Sequence, residues 1–139
     1  MKCAVVYVSK GGNTEKLARA VARGAGVQAQ PLSGIRALDT PVDLLFIGAS
    51  IYAGRIDGAM RSFLQTVSAG QVKRVAVFGS ACGAKSALAE AKAILEPRGI
   101  PVLDEAFQCR GAFLFLNSGR PNDGDLEAAT AFAKRLCAL

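Results

Sequence analysis

Short runs of consecutive apolar residues recur along the chain, separated by stretches whose apolar positions fall three and four apart. Residues 3–8, 44–48 and 75–79 are near-continuous in apolar side chains rather than alternating, the pattern of strands covered on both faces. Residues 14–24 place Leu17, Ala18, Val21 and Ala22 on one helical face and Glu15, Lys16, Arg19 and Arg23 elsewhere. Gly24 and Gly26 supply a stop for that helix. A weaker strand is expected at 27–31, and the connection 33–39 has room for one or two helical turns. Residues 57–67 read as a helix with Met60, Phe63, Leu64 and Val67 inward, ended near Gly70. An alanine-rich helix spans 86–95 and is closed by Pro97 and Gly99. A fifth strand is expected at 101–107, continuing or resuming at 112–116 after Gly111. The last helix, 123–136, is capped by Asn122 or Asp123 and carries acidic residues in its first turn, where they complement the helix dipole.

Repeated alternation of strand and helix implies an α/β fold: an open, mostly parallel sheet with helices on both faces and right-handed crossovers. In such folds ligands lie outside the carboxyl ends of the strands, near the point where strand order reverses. The loops after the first, third and fourth clear strands are therefore the places to look for chemistry.

Composition narrows the chemistry. The 139 residues suit one domain, 1–139, with 51% apolar and 20% charged residues, the balance of a folded chain rather than a disordered one. No apolar run approaches the roughly 18 residues needed to cross a bilayer. The opening stretch Met1 to Val8 is short and ends in Ser9-Lys10-Gly11-Gly12, which reads as a first strand rather than a signal peptide, so a cytoplasmic location and no membrane span are expected. The 4 cysteines, Cys3, Cys82, Cys109 and Cys137, are far apart and the chain has 0 histidines. That argues against a Cys/His metal site and removes the commonest general base of hydrolases. Cys3 and Cys137 read as small core fillers, whereas Cys82 falls in one of the three loops. The net charge of +6 is spread as single or paired cations, and aromatics make up only 6%, which disfavours nucleic acid and leaves an acidic protein partner as the better match.

The first loop, Ser9-Lys10-Gly11-Gly12-Asn13-Thr14, joins a strand to a helix. Glycines let the backbone curl around an anion, the hydroxyls of Ser9 and Thr14 and the amide of Asn13 can donate to phosphate oxygens, and the new helix offers unpaired N–H groups. It is neither a Walker A loop nor a dinucleotide-binding G-x-G-x-x-G. This loop resembles the phosphate loop of flavodoxins, S/T-x-T-G-x-T, often with Asn before the final Thr. Ser9, Gly12, Asn13 and Thr14 are in register, and Gly11 stands where the family commonly has Thr. The resemblance covers essentially the whole chain, including Arg120-Pro121-Asn122-x-x-Asp125-Leu126. It implies a doubly wound, open five-stranded parallel sheet of order 2-1-3-4-5 and a bound FMN whose 5′-phosphate sits in this loop.

The other two loops take their roles from the same resemblance. The segment after the third strand, with Ser50, Ile51, Tyr52, Ala53 and Gly54, would pass one face of the flavin ring, where Tyr52 could stack. Its wording, Ile47-Gly48-Ala49-Ser50-Ile51, also looks like flavodoxin-like, quinone-linked protoporphyrinogen dehydrogenases, whose long additional loop has no room here. The segment Ser80-Ala81-Cys82-Gly83 would bind the pyrimidine edge through its backbone. No aromatic stands between Phe78 and Phe107, so one ring face is expected to be open or covered by a partner. Lys10, Arg55 and Lys85 lie in or beside the three loops, with Asp57 the main nearby anion. Either they are ordinary solvated surface charges, or they would form a cationic rim that steers an acidic redox partner or substrate; the rim predicts a reduction potential less negative than that of an acidic flavodoxin.

The function implied is a monomeric, FMN-binding electron-transfer protein with no catalytic residues of its own. Two alternatives stand beside it: a flavin-dependent oxidoreductase acting on a quinone or porphyrin-like planar substrate, and a flavin-free interaction module of the same fold.

Overall fold

The apolar runs of the sequence become the strands of one sheet. The computed structural model describes residues 1–9, 12–34, 38, 40–49, 51–52, 55–80, 84–109 and 121–138. Strand β1 (Cys3–Tyr7) is followed by helix α1 (Asn13–Ala25), β2 (Ala29–Pro31) and a 3-10 turn at Leu32–Gly34. Next come β3 (Leu44–Ala49), a small antiparallel hairpin of β4 (Ile51–Tyr52) and β5 (Arg55–Ile56), and α2 (Gly58–Thr66). Strand β6 (Val75–Ser80), α3 (Ala84–Leu95), a 3-10 turn at Glu96–Arg98, β7 (Phe107–Cys109) and α4 (Asp123–Cys137) follow. The main sheet has the order β2-β1-β3-β6-β7 and every pairing in it is parallel.

Because successive strand residues point to opposite faces, each central strand feeds two cores. Cys3, Val5 and Tyr7 of β1, Leu44 and Phe46 of β3, and Ala76 and Phe78 of β6 pack with α1 and α4. Val6, Leu45, Ile47, Val75 and Val77 pack on the other side with α2 and α3, through Met60, Leu64, Ala87, Ala91 and Leu95. Near-continuous apolar runs are what a sheet covered on both faces requires, and the parallel α/β architecture predicted from them is the one found. Among the described residues no helix is long and apolar enough to cross a membrane.

Two glycines read as one helix stop have different jobs. Gly26 ends α1 in the left-handed conformation, φ 73° and ψ 28°, with its N–H bonded back to Ala22 and Arg23. Gly24 stays helical, and its bare Cα is what lets α4 approach. A Cβ there would overlap the Thr130 carbonyl oxygen and stand 2.9 Å from the Ala133 Cβ. The Thr130 hydroxyl lies 3.0 Å from the carbonyls of Ala20 and Leu126, tying α4 to α1. At the start of α4, Asn122 is the cap: its side chain accepts from the Asp125 N–H at 2.9 Å, and Asp125 accepts from the Asn122 N–H at 2.8 Å.

The last strand lies further along than expected. Residues 101–107 meet the sheet only briefly, where Val75 pairs with Val102, before β7 pairs Phe78 with Phe107. Between those two points the register slips by two residues, so the segment around Asp104 and Glu105 leaves the ladder. Where it leaves, Asp104 pairs with Lys92 of α3, and Glu105 meets Arg135 of α4 through two contacts of 2.5 and 2.6 Å. The possible continuation at 112–116 lies outside the described residues.

These pairs make stability depend on acid. Hydrogen bonding from Lys92 holds Asp104 below the usual carboxylate range, Arg135 does the same for Glu105, and the Lys2 N–H followed by Lys73 lowers Asp43. Carboxyls depressed in the folded state contribute stability above their unfolded pKa of about 4 and lose it as pH falls through the lower folded values. The melting temperature is therefore expected to fall progressively below about pH 4. Because the pairs are exposed, about 1 M salt should flatten that slope; a melting curve indifferent to pH between neutrality and pH 3 would contradict this.

Candidate functional site

At the carboxyl end of β1 the chain makes a braced turn into α1. Ser9 Oγ accepts the Gly12 N–H at 3.0 Å, and the Gly12 carbonyl accepts the Lys16 N–H at 3.1 Å. Gly12 is the residue before the helix and sits at φ 85° and ψ −12°, in the left-handed region that favours glycine. The residue before α1 is a glycine and makes no side-chain cap, and the first turn of the helix directs the positive end of its dipole toward the turn. Among the described residues no atom lies within 4 Å of where a Gly12 Cβ would project. Such a turn can receive an anion against backbone donors.

Thr14, only 2% exposed, is buried in that first turn. Glu15 is paired with Arg19 at 2.9 Å and lies 3.4 Å from the Tyr7 hydroxyl. Arg19 thus offsets a carboxylate that would otherwise repel an anion here. Burial first, and Glu15 second, push the Tyr7 phenol up from its ordinary value, which keeps it protonated.

The segment after β3 is a hairpin rather than a plain loop. Ile51 pairs with Ile56 and Tyr52 with Arg55. Its base is clamped: the Ile56 N–H donates to Glu90 of α3 at 3.2 Å, and Arg61 of α2 donates to the Ile56 carbonyl at 2.8 Å. Arg61 and Glu90 meet each other at 3.4 Å with side chains 28% and 20% exposed. Two helices therefore fix where the hairpin leaves the sheet.

The flavodoxin-domain family model matches residues 4–102, which contain the turn, the hairpin and four strands of the sheet. The chain belongs to the flavodoxin family. No curated relative matches its sequence significantly. Among solved structures it is similar to a flavodoxin from the domain Archaea, at 22% identity and a TM-score of 0.79, covering 99% of this chain and 97% of that one. It is also similar to a WrbA-like flavodoxin from Agrobacterium tumefaciens, at 22% identity, a TM-score of 0.75, and 99% and 95% coverage. The rubredoxin:oxygen oxidoreductase of Desulfovibrio gigas shares the fold at 17% identity and a TM-score of 0.75, with 99% of this chain matching 35% of that larger one.

Of the residues expected to bind flavin in this flavodoxin, Ser9, Gly12, Asn13 and Thr14 come together at the β1–α1 turn. Ile51 and Tyr52 form β4 of the hairpin, and Ser80 ends β6. Strands β1, β3 and β6 are adjacent and parallel, so all three segments emerge at one end of the sheet. Lys10, Gly11, Ser50, Ala53, Gly54, Ala81, Cys82 and Gly83 lie outside the described residues. Of the rim charges, Asp57 caps α2, its carboxylate accepting the Ala59 N–H at 2.8 Å. Among the described residues no three metal-ligating side chains gather.

Sequence reasoning missed the neighbours of this end. An open cleft of about 690 Å³ runs beside Ser9, lined by Tyr7, Val8 and Glu15, by Pro31 to Ser33, and by Ala59 and Phe63. These residues come from the carboxyl ends of β1 and β2, from the first turn of α1 and from α2, a convergence that only strand order reveals. The Arg61–Glu90 clamp was equally hidden. Glu90→Ala should remove the acceptor that the Ile56 N–H shares with the Arg61 Nε, leaving Arg61 only the Ile56 carbonyl; the hairpin base should loosen, and a flavin held against it would bind about three- to tenfold less tightly, about 1 kcal/mol. Unchanged affinity in a fluorescence titration would deny the clamp that role.

Proposed function

We propose that this flavodoxin, a single domain over residues 1–139, binds FMN and passes electrons to and from a protein partner. The observation that carries this reading is the turn braced by Ser9 and Gly12, with Gly12 left-handed and the start of α1 directed at it, at the strand ends where the fold gathers its loops. Family membership and the flavodoxins it resembles in fold support the same reading.

Ser9, Lys10, Gly11, Gly12, Asn13 and Thr14 would hold the 5′-phosphate. Ser50 to Gly54 would flank the ring, held in place by Arg61 and Glu90, and Ser80 to Gly83 would meet its pyrimidine edge. FMN, once bound, supplies one- and two-electron redox chemistry. The chain's own work is to fix the phosphate with backbone donors, orient the ring between two segments, and set the charge around it. Lys10, Arg55 and Lys85 would form the rim that steers an acidic partner, in keeping with the net charge of +6.

A cation of that rim, taken at about 10 Å and an effective dielectric of about 40, would favour the uptake of one negative charge by roughly 0.8 kcal/mol, or about 35 mV for one electron. A potential less negative than that of acidic flavodoxins is expected in low salt, drifting toward theirs as salt is raised. A salt-independent value as negative as theirs would remove the rim from the account.

Turnover with NADPH separates a carrier from an enzyme. The FMN-loaded protein alone should consume NADPH negligibly and should relay electrons to a small acceptor once a flavoprotein reductase is added. Rapid NADPH oxidation by the protein alone, with a quinone as acceptor, would favour the oxidoreductase reading instead.

A further inference from the structure

Cys3 opens β1 and Cys137 closes α4, and both are free thiols. Their sulfurs lie 2.9 Å apart although 134 positions separate them in sequence. Filling a core with small apolar groups accounts for their burial but not for aiming one sulfur at the other. A disulfide bond is about 2.05 Å long, so less than about 1 Å of approach separates this pair from bonding. Helix α4 is held beside the contact by Phe132, Ala133 and Leu136, which pack in the same core cluster as Cys3.

We infer that Cys3 and Cys137 form a reversible intramolecular disulfide, closed by exchange with a small-molecule disulfide such as oxidised glutathione. Exposure sets the order of events. Cys3 is 8% exposed, whereas Cys137 is partly open to solvent. Burial, the Cys137 sulfur and, more weakly, Asp43 push the Cys3 thiol up to about 12, against the pull of the N-terminal ammonium. Cys137 is therefore the thiol that meets the oxidant. Its thiolate attacks one sulfur of the glutathione disulfide and expels one glutathione thiolate, leaving a mixed disulfide on Cys137. The Cys3 sulfur, as its proton leaves, then attacks the Cys137 sulfur and expels the second glutathione. The two protein thiols lose two electrons and two protons in all, and one glutathione disulfide becomes two glutathione thiols.

The bond would tie the first strand to the last helix and close nearly the whole chain into one loop, which constrains the unfolded state strongly. Cys3 stands at the amino end of β1, opposite the Ser9–Gly12 turn, so the staple acts on stability and leaves the anion site untouched. It does not rest on the flavin reading.

The test uses the full chain in mixtures of oxidised and reduced glutathione, quenched by alkylation, digested and mapped by mass spectrometry. A peptide pair joined through Cys3 and Cys137 is expected, reversed by dithiothreitol, together with a melting temperature raised by about 5 °C or more. Cys3→Ser should instead trap glutathione on Cys137, and Cys137→Ser should leave Cys3 as a thiol. Two free thiols under oxidising mixtures, a lasting mixed disulfide on Cys137 with Cys3 still reduced, or a link through Cys82 or Cys109 would each overturn the inference. The mapping of the unsubstituted protein decides the matter even if a serine variant fails to fold.

Discussion

Gly12→Val is expected to weaken FMN binding by about 10- to 100-fold, close to 1.4–2.8 kcal/mol, while the protein still folds. Among the described residues nothing stands within 4 Å of a Gly12 Cβ, so a clash is not the main difficulty for valine. Its difficulty is φ 85°, which costs an L-residue about 1–2 kcal/mol and a β-branched one more. The turn relieves that strain by rotating, and rotation breaks the Gly12 N–H to Ser9 contact and turns the first-turn amides of α1 away from the anion. The loss should fall on FMN and spare riboflavin, which has no phosphate to misplace. Flavin fluorescence titrations with both ligands read this out. Equal weakening of both, or no weakening, would mean that the turn does not hold the phosphate.

Gly24→Ala is expected to lower stability by about 1–3 kcal/mol, a fall of several degrees in melting temperature. Helix propensity alone predicts the opposite sign, since alanine is favoured over glycine inside a helix by about 1 kcal/mol. Packing decides the sign here. The added methyl would run into the Thr130 carbonyl oxygen and crowd the Ala133 Cβ, and a backbone oxygen moves only if α4 moves. Because α4 also packs Phe132 edge-on to Phe46, at 6.2 Å between ring centroids, the disturbance reaches the sheet. Gly26→Ala, at the left-handed cap, should lose stability through strain alone and by less. Thermal denaturation of both variants compares the two mechanisms, and a more stable Gly24→Ala would refute the close approach of α1 and α4.

The parts of this fold legible in sequence are those where one physical rule dominates. Leu17, Ala18 and Val21 announce the buried face of α1 because helical spacing and burial agree. Leu44 to Ile47 announce a strand covered on both sides, and Asn122 with Asp125 announces a helix start. Legibility fails where long-range contacts override local rules. Gly24 obeys a packing demand set by residues more than 100 positions away, and so reads falsely as a stop. The β4–β5 hairpin is too short to show a period. The segment at Asp104 and Glu105 leaves the ladder and pairs with Lys92 and Arg135, residues of two helices that no local pattern brings there.

The site divides in the same way. Ser9, Gly12, Asn13 and Thr14 carry a local signature, since a donor-rich turn between strand and helix is written in adjacent residues. Arg61, Glu90, Tyr7 and Phe63 carry none. They reach this end of the sheet only through strand order, and a strand order of β2-β1-β3 is a property of pairing rather than of any one segment.

Equilibrium titration of the protein, stripped of any flavin, with FMN, and in parallel with riboflavin, bears most directly on the claim that the turn leaving β1 grips a flavin's phosphate. Saturable quenching of FMN fluorescence is expected, with FMN bound about 100-fold tighter than riboflavin, the equivalent of about 2.8 kcal/mol from the phosphate. No saturable binding of FMN, or the same affinity for both flavins, would contradict it.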